Sequence, residues 1–127
     1  MDKTALVATD FAIGPKLVDA LDKSNLSISV ALWADLTEYE NWRFVLSSRR
    51  LDDAGPLAAY RLANDALDAA GFTIESVPSL LILKMSDPFI RALRRMFGKS
   101  KSVEGMRLGG QLIGDRFVED GLVYRIR

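Results

Sequence analysis

Apolar side chains recur along this chain with two periods, one near 3.6 residues and one of two residues, which are typical of helices and strands respectively. The longer period predicts three helices, over residues 11–23, from Gly55-Pro56 to Gly71, and from Asp87-Pro88 to Gly98. Alternating or unbroken apolar stretches predict strands at residues 28–34, 42–47, 79–84, 106–108, 117–118 and 122–126. The dipeptides Gly109-Gly110 and Asp120-Gly121 predict turns between the last of these strands.

The order of these elements, α-β-β-α-β-α-β-β, predicts an α+β fold. We expect a mixed, mostly antiparallel sheet of about five strands, with three helices mainly on one face. Residues 80–83 are all apolar, so their strand is expected in the centre of the sheet, covered on both faces. No repeat or linker interrupts the pattern, and 127 residues are enough for one core, so residues 1–127 are predicted to form a single domain.

The alternation of side chains along the strands divides the predicted sheet into two faces. One face, expected under the helices, would hold Val30, Leu32, Trp42, Phe44, Leu46, Leu122, Tyr124 and Ile126. The other would hold Ala31, Trp33, Val45, Leu81, Leu83 and Val123 together with Arg43 and Arg125. This second set is too apolar to face water and too charged for an ordinary core. Trp33, Arg43, Val45, Val123 and Arg125 are therefore predicted to form a protein interface, for a second copy of the chain or for another protein. The alternative to an interface is that a helix or the N-terminal segment covers this face of the sheet.

The basic helix at residues 87–101 is the second candidate surface. Its apolar side carries Phe89, Ile90, Leu93, Met96 and Phe97, and Arg91, Arg94, Arg95 and Lys99 are the candidate anion-binding residues. Such a surface can contact the phosphates of a nucleic acid or another polyanion. Three features weaken this hypothesis, because the chain is neutral overall, carries no known binding motif and does not interleave aromatic with basic residues. In the alternative, the arginines are solvated or pair with acidic residues of the first helix.

The chain contains no histidine and no cysteine. It therefore lacks the usual general base near neutral pH, the thiolate nucleophile and the ligands of a structural zinc site. Acidic pairs such as Asp52-Asp53 have no spacing typical of a Mg²⁺ site. We expect no catalytic residue, no metal and no cofactor, and an enzyme using carboxylate or Lys/Tyr chemistry is the least favoured function class.

A small anion is conceivable at the Gly55-Pro56 helix start, since Arg49 and Arg50 lie nearby in the sequence. Asp52 and Asp53 occupy the same neighbourhood, however, and the sequence does not favour an anion there.

The N-terminus lacks the pattern of a signal peptide and no apolar run approaches the ~20 residues of a membrane span, so we expect a cytoplasmic protein.

Five groups of residues carry a resemblance to a known family: Ala31-Leu32-Trp33; Trp42-Arg43 with Ser47-Ser48; Gly55-Pro56 with Ala59-Tyr60; Asp87-Pro88 with Leu93-Arg94-Arg95; and Phe117-Val118-Glu119-Asp120 with Tyr124-Arg125. In this order, over nearly the whole chain, they resemble a family of small uncharacterised bacterial proteins with no assigned activity. The resemblance implies a compact single domain and no catalytic residue.

Three hypotheses of function follow from the sequence. The favoured one is a non-enzymatic protein-interaction or regulatory domain that self-associates as a homo-oligomer. The second is a nucleic-acid or polyanion binder that uses the basic helix, and the third is an enzyme.

Overall fold

The computed structural model describes residues 8–73, 79–100 and 102–127, with side chains from Ala12 onward within these ranges. The helices are α1 (Ala8–Lys23), α2 (Arg49–Ala54), α3 (Pro56–Ala69) and α4 (Pro88–Phe97). The strands are β1 (Val30–Leu36), β2 (Arg43–Ser47), β3 (Leu80–Ile82), β4 (Arg107–Ile113) and β5 (Arg116–Ile126). They form a five-stranded sheet of order β3-β2-β1-β5-β4, in which β2 and β3 are parallel and the other neighbours antiparallel. The predicted α+β fold with a mixed, mostly antiparallel sheet is confirmed.

The first face of the sheet packs against α1, α2 and α3, and we call this packing the α1–α3 core. Leu17 and Leu21 of α1 and Leu67 of α3 are fully buried there against the strands. The rings of Trp33 and Phe44 meet edge to face in the same core, with centroids 5.4 Å apart. These helices bury one apolar side each, as the 3.6-residue period predicts.

The second face of the sheet packs against α4, and we call this packing the α4 core. Phe89, Ile90 and Leu93 are fully buried against strand residues of this face. Burying side chains of this size contributes about 2 kcal/mol each. Both faces are therefore covered by helices, three on one face and one on the other.

Gly14 explains how α1 lies so close to the sheet. A Cβ atom at this position would overlap the ring of Tyr124 in β5. Because glycine has no side chain, the tyrosine ring can lie directly against the helix backbone. An alanine at this position would push α1 and β5 apart.

The prediction of which strand residues share a face is wrong for β1 and for Ile126 of β5, which packs in the α4 core while Leu122 and Tyr124 pack in the α1–α3 core. The structure pairs Trp33 with Phe44 and Leu32 with Val45, so Trp33 belongs to the α1–α3 core and Leu32 to the α4 core. A change of register by one residue moves every side chain of a strand to the opposite face. In β1 nearly every residue is buried, so its apolar pattern carries no information on which residues face which side.

The prediction that residues 80–83 form a central strand is also wrong. β3 is an edge strand, and β1 lies in the centre. The expectation of apolar cover on both faces is still met, since Leu80 and Ile82 pack on the α1–α3 core while Leu81 and Leu83 pack on the α4 core. A run of apolar residues therefore indicates that both faces of the strand are covered, and it does not indicate where the strand lies in the sheet.

The predicted turns near the C-terminus are misplaced. Gly109-Gly110 lie within β4 and Asp120-Gly121 within β5, and the hairpin turn is Gly114-Asp115. Gly114 has a φ of +60° and Asp115 does not have a positive φ, the pattern of a type II′ turn. Here the short strand fragments that the sequence predicts are parts of two long strands.

The described residues form four helices, where three were predicted. Arg49–Ala54 form the additional short helix, which begins because the Ser48 hydroxyl accepts a hydrogen bond from the Leu51 amide at 3.1 Å. Gly55 ends α2 and leads directly into Pro56 of α3. The first helix also begins three residues earlier than predicted, at Ala8.

Candidate functional site

A cleft opens beyond the carboxyl ends of the parallel strands β2 and β3. β2 continues into α2 and α3 on one face of the sheet, whereas β3 continues into α4 on the other. Connections that leave neighbouring parallel strands on opposite faces create a crevice, which is the usual ligand site in sheets with parallel strands. We call this crevice the β3–α4 cleft.

The cleft has a volume of about 400 Å³ and an apolar wall with several polar groups. It is lined by Leu51, Asp52, Gly55, Pro56, Ala59, Tyr60, Ile82, Leu83, Lys84, Ser86, Asp87 and Pro88. Sites for small molecules typically measure ~300–1,000 Å³ and combine such a wall with a few polar groups. Pro56, Lys84, Ser86 and Pro88 are exposed at its mouth.

The Tyr60 hydroxyl holds the outer edge of β3. Its oxygen accepts a hydrogen bond from the Ile82 amide at 3.0 Å. Because β3 is an edge strand, this amide points away from β2 and would otherwise lack a partner in the sheet. The contact fixes α3 against β3 and places the tyrosine hydroxyl in the cleft.

The Asp52 carboxylate ties α2 to the loop between β3 and α4. Both of its oxygens accept from the Met85 amide, Oδ2 at 3.1 Å and Oδ1 at 3.3 Å. Asp53, its neighbour in the sequence, is exposed and does not line the cleft. Of the two acidic residues that the sequence places near this helix start, only Asp52 contributes its charge to the cleft, and both of its oxygens accept from a backbone amide.

Asp87 begins α4, as predicted. Its Oδ1 accepts from the Phe89 amide at 2.9 Å, and Pro88 occupies the first helical position. Its Oδ2 lies 3.7 Å from a guanidinium nitrogen of Arg116 in β5. The carboxylate is therefore paired on both sides.

Arg116 keeps its positive charge beside Asp87. Burial alone would lower the pKa of its guanidinium, but a hydrogen bond with Tyr39 and the carboxylates of Glu38 and Asp87 outweigh this effect and raise the pKa above its usual value. The Arg116 guanidinium therefore supplies the positive charge that faces the Asp87 carboxylate.

The five residues predicted to form an interface do not share one open face. Trp33 is 6% exposed and lies in the α1–α3 core, while Val45 and Val123 are fully buried in the α4 core. The prediction assumed that one sheet face is left open, and α4 covers it. These three residues therefore cannot line a surface of the folded chain.

The two arginines of that predicted interface have partners within the chain. Arg43 lies over the Tyr39 ring at 4.6 Å. Arg125 donates to Asp22 at 2.7 Å and to the Ile28 carbonyl at 3.1 Å, which joins β5 to the end of α1. Both arginines stabilise the fold locally.

The four predicted anion-binding residues are all exposed. Arg91, Arg94 and Arg95 lie on the outer side of α4, and Lys99 follows the helix. The Arg94 Nε donates to the Arg127 carbonyl at 3.0 Å. α4 and α1 lie on opposite faces of the sheet. The acidic side chains of α1 that the structure describes, Asp19 and Asp22, pair with Lys23 and Arg125 and not with these arginines.

Sequence reasoning missed the cleft residues Asp52, Tyr60, Lys84 and Ser86 as a group. A signal was present, because two helix starts, Gly55-Pro56 and Asp87-Pro88, flank a strand in a β-α-β unit. That arrangement places helix starts at the carboxyl ends of parallel strands. What the sequence did not give is that β2 is the parallel neighbour of β3.

Comparisons with protein-family models, with curated proteins and with solved structures found no match for this chain. Within the described ranges, no helix is long and apolar enough to cross a membrane. The same ranges contain no cluster of three or more acidic side chains arranged to hold a metal ion. The site therefore has to be interpreted from its own chemistry.

Proposed function

We propose that the protein is a non-enzymatic regulatory domain that binds a small, largely apolar molecule in the β3–α4 cleft. The observation that carries the proposal is the cleft itself, of about 400 Å³, at the point where the connections of two parallel strands diverge. The proposal keeps the class favoured by the sequence and replaces the sheet face with the cleft as its binding surface.

The polar groups of the cleft support binding more than catalysis. A general base needs a lone pair directed at the substrate. Contacts within the protein orient the candidate groups of the cleft instead, since the Asp52 and Asp87 carboxylates accept from backbone amides and the Tyr60 hydroxyl accepts from Ile82. Their first role is to hold α2, α3 and α4 around the cleft.

A blocking substitution tests the proposal. Ser86 is exposed at the mouth of the cleft, so Ser86→Trp fills the opening without disturbing a core. Ser24, which is exposed outside the cleft, provides the matched control Ser24→Trp. Thermal unfolding is measured with a library of aromatic fragments at millimolar concentration.

We expect fragments that raise the melting temperature of the wild type and of Ser24→Trp, and that have no effect on Ser86→Trp. Absence of any stabilising fragment contradicts the proposal. So does a set of fragments that stabilises all three proteins equally.

A second candidate function is the binding of a nucleic acid. It is favoured by two exposed arginines of α4 that have no partner among the described residues. In the described part of the chain, Arg91 and Arg95 have neither an ion pair nor a hydrogen bond through their side chains. They lie one helical turn apart on the exposed side. Unpaired arginines on one side of a helix suit contact with phosphates.

Salt dependence distinguishes this second candidate. In binding to a DNA or RNA duplex, Arg91→Gln/Arg95→Gln should reduce the slope of log affinity against log salt by about two. The double variant Arg49→Gln/Arg61→Gln removes the same charge elsewhere and should leave the slope unchanged. No binding at low salt would eliminate the candidate.

Self-association remains part of the proposal, on a different surface from the one predicted. Leu112 and Phe117 face each other across the β4–β5 hairpin and are 67% and 44% exposed. Leu112 belongs to β4, the strand at the second edge of the sheet, and Phe117 belongs to the neighbouring strand β5. A second copy is the proposed occupant, since a chain of zero net charge has little repulsion from its own copies.

A further inference from the structure

The ligand class follows from the hydrogen-bonding capacity that the β3–α4 cleft leaves unused. This inference rests on the proposed function and specifies the molecule that the cleft takes. Of its acceptors, the Asp52 oxygens both accept from Met85, and Asp87 accepts from Phe89 while facing Arg116. Both carboxylates are thus oriented by contacts within the protein, and the charge of Asp87 faces a guanidinium.

The unused groups are donors. The Lys84 ammonium carries three protons and has no ion pair or hydrogen bond with any described residue. The Tyr60 hydroxyl accepts from Ile82, and its own proton has no acceptor among the described residues. The Ser86 hydroxyl at the mouth is likewise without a partner there.

The rest of the wall is apolar. Leu51, Pro56, Ala59, Ile82 and Leu83 supply carbon surface to a ligand that enters the cleft. A ligand buried against this wall gains from desolvation, and its polar group has to accept hydrogen bonds from the free donors. A neutral polar group would satisfy the donors only in part. A cation could approach the Asp52 carboxylate, which has no ion pair among the described residues, but would face the Lys84 ammonium in the same cleft. The relative affinities of an anionic and a cationic probe therefore decide which of these two groups governs binding.

We propose that the β3–α4 cleft selects an anionic ligand with an apolar body, such as an aromatic or aliphatic carboxylate, and that Lys84 and Tyr60 are the residues that determine this specificity. The carboxylate accepts from the Lys84 ammonium and from the Tyr60 hydroxyl, and its apolar body lies along the wall of the cleft. Charge-assisted hydrogen bonds of this kind are about twice as strong as neutral ones.

Three probes of nearly the same shape and different charge test the inference: 2-naphthoate, 2-naphthamide and 2-naphthamidine. Titration calorimetry measures their affinities for the wild type, for Lys84→Met and for the control Lys16→Met, which removes an exposed charge of α1 outside the cleft. Methionine keeps most of the length of lysine and removes its charge and its donors.

We expect 2-naphthoate to bind the wild type about tenfold more tightly than 2-naphthamide, and 2-naphthamidine to bind most weakly. Lys84→Met should lower the affinity for 2-naphthoate about tenfold and leave that for 2-naphthamide unchanged, while Lys16→Met should change neither. The pair of lysine variants separates an effect of the cleft from a general effect of removing one positive charge.

Three results overturn the inference and leave the proposed function intact. The first is tighter binding of the amidine than of the naphthoate, and the second is an unchanged naphthoate affinity in Lys84→Met. The third is that none of the three probes binds while other fragments occupy the cleft. If no fragment binds either, both proposals fail together.

Discussion

Ser47 and Ser48 are neighbours at the end of β2, and both are fully buried. The Ser48 hydroxyl caps α2 by accepting from the Leu51 amide. The Ser47 hydroxyl has no hydrogen-bond partner in the described part of the chain. Two identical side chains therefore differ in their contribution to stability, because only one of them recovers the cost of leaving water.

Alanine substitutions should affect the two positions in opposite directions. Ser48→Ala is expected to lower the free energy of unfolding by about 1 kcal/mol through loss of the cap. Ser47→Ala removes an unpaired hydroxyl and should raise it, by up to about 1 kcal/mol. Chemical denaturation of both variants measures the difference, and equal losses at the two positions would contradict this account.

At the scale of elements, the β4–β5 hairpin supports the start of α4. Its turn residue Gly114 has a φ of +60°, and a Cβ there would lie 2.5 Å from the Pro88 carbonyl oxygen. The position therefore requires glycine for two reasons, one of conformation and one of space. Arg116, two residues further along, reaches Asp87 in the same region.

A pair of glycine substitutions separates these two reasons. Gly105 has a φ of +84° with open space around it, so Gly105→Ala should cost only the conformational strain, about 1 kcal/mol. Gly114→Ala adds the overlap with the α4 backbone and should cost about 3 kcal/mol. Thermal and denaturant unfolding give both values. Equal costs would mean that the hairpin does not press against α4.

The elements themselves were largely predictable from the sequence, and the register of β1 was not. Helix starts such as Asp87-Pro88 are local signals, and the structure has the helix where the sequence predicted it. The faces of β1 depend on a register with β2 that no local pattern encodes when residues such as Leu32 and Trp33 are all buried. The register places Trp33 in the α1–α3 core, and α4 covers the other face, so no open sheet face is left for the predicted interface.

The cleft was hidden from sequence analysis for a related reason. The apolar pattern of α3 includes Tyr60, but the structure places this residue half-buried in the lining of the cleft. The pattern does not predict what the Tyr60 hydroxyl binds. The use of that hydroxyl depends on β3 being an edge strand, whose Ile82 amide needs a partner. Asp52 reads as an acid near a helix start, and only the fold brings it to Met85, 33 residues away in the chain.

For the whole molecule, cover on both faces of the sheet leaves the hairpin as the surface proposed for a second copy. The double variant Leu112→Ser/Phe117→Ser should lower the self-associated fraction, because it removes the exposed apolar pair without touching either core. Leu57→Ser, at a leucine that is 86% exposed on α3, is the matched control and should change nothing.

Light scattering over a range of protein concentration measures this effect. A wild type that is monomeric at every concentration would exclude self-association. An assembly that persists unchanged in the double variant would show that another surface is used.

The central claim is that the β3–α4 cleft is the binding site, and backbone amides inside it report on this directly. The Ile82 amide donates to Tyr60 and the Met85 amide to Asp52, so a ligand in the cleft alters the surroundings of both. Titration of isotope-labelled protein with aromatic fragments, followed by NMR, is the most direct measurement. The account predicts saturable shifts centred on the Ile82 and Met85 amides, with the hairpin amides of Leu112 and Phe117 unmoved. Shifts centred elsewhere, or none at millimolar fragment, would contradict it.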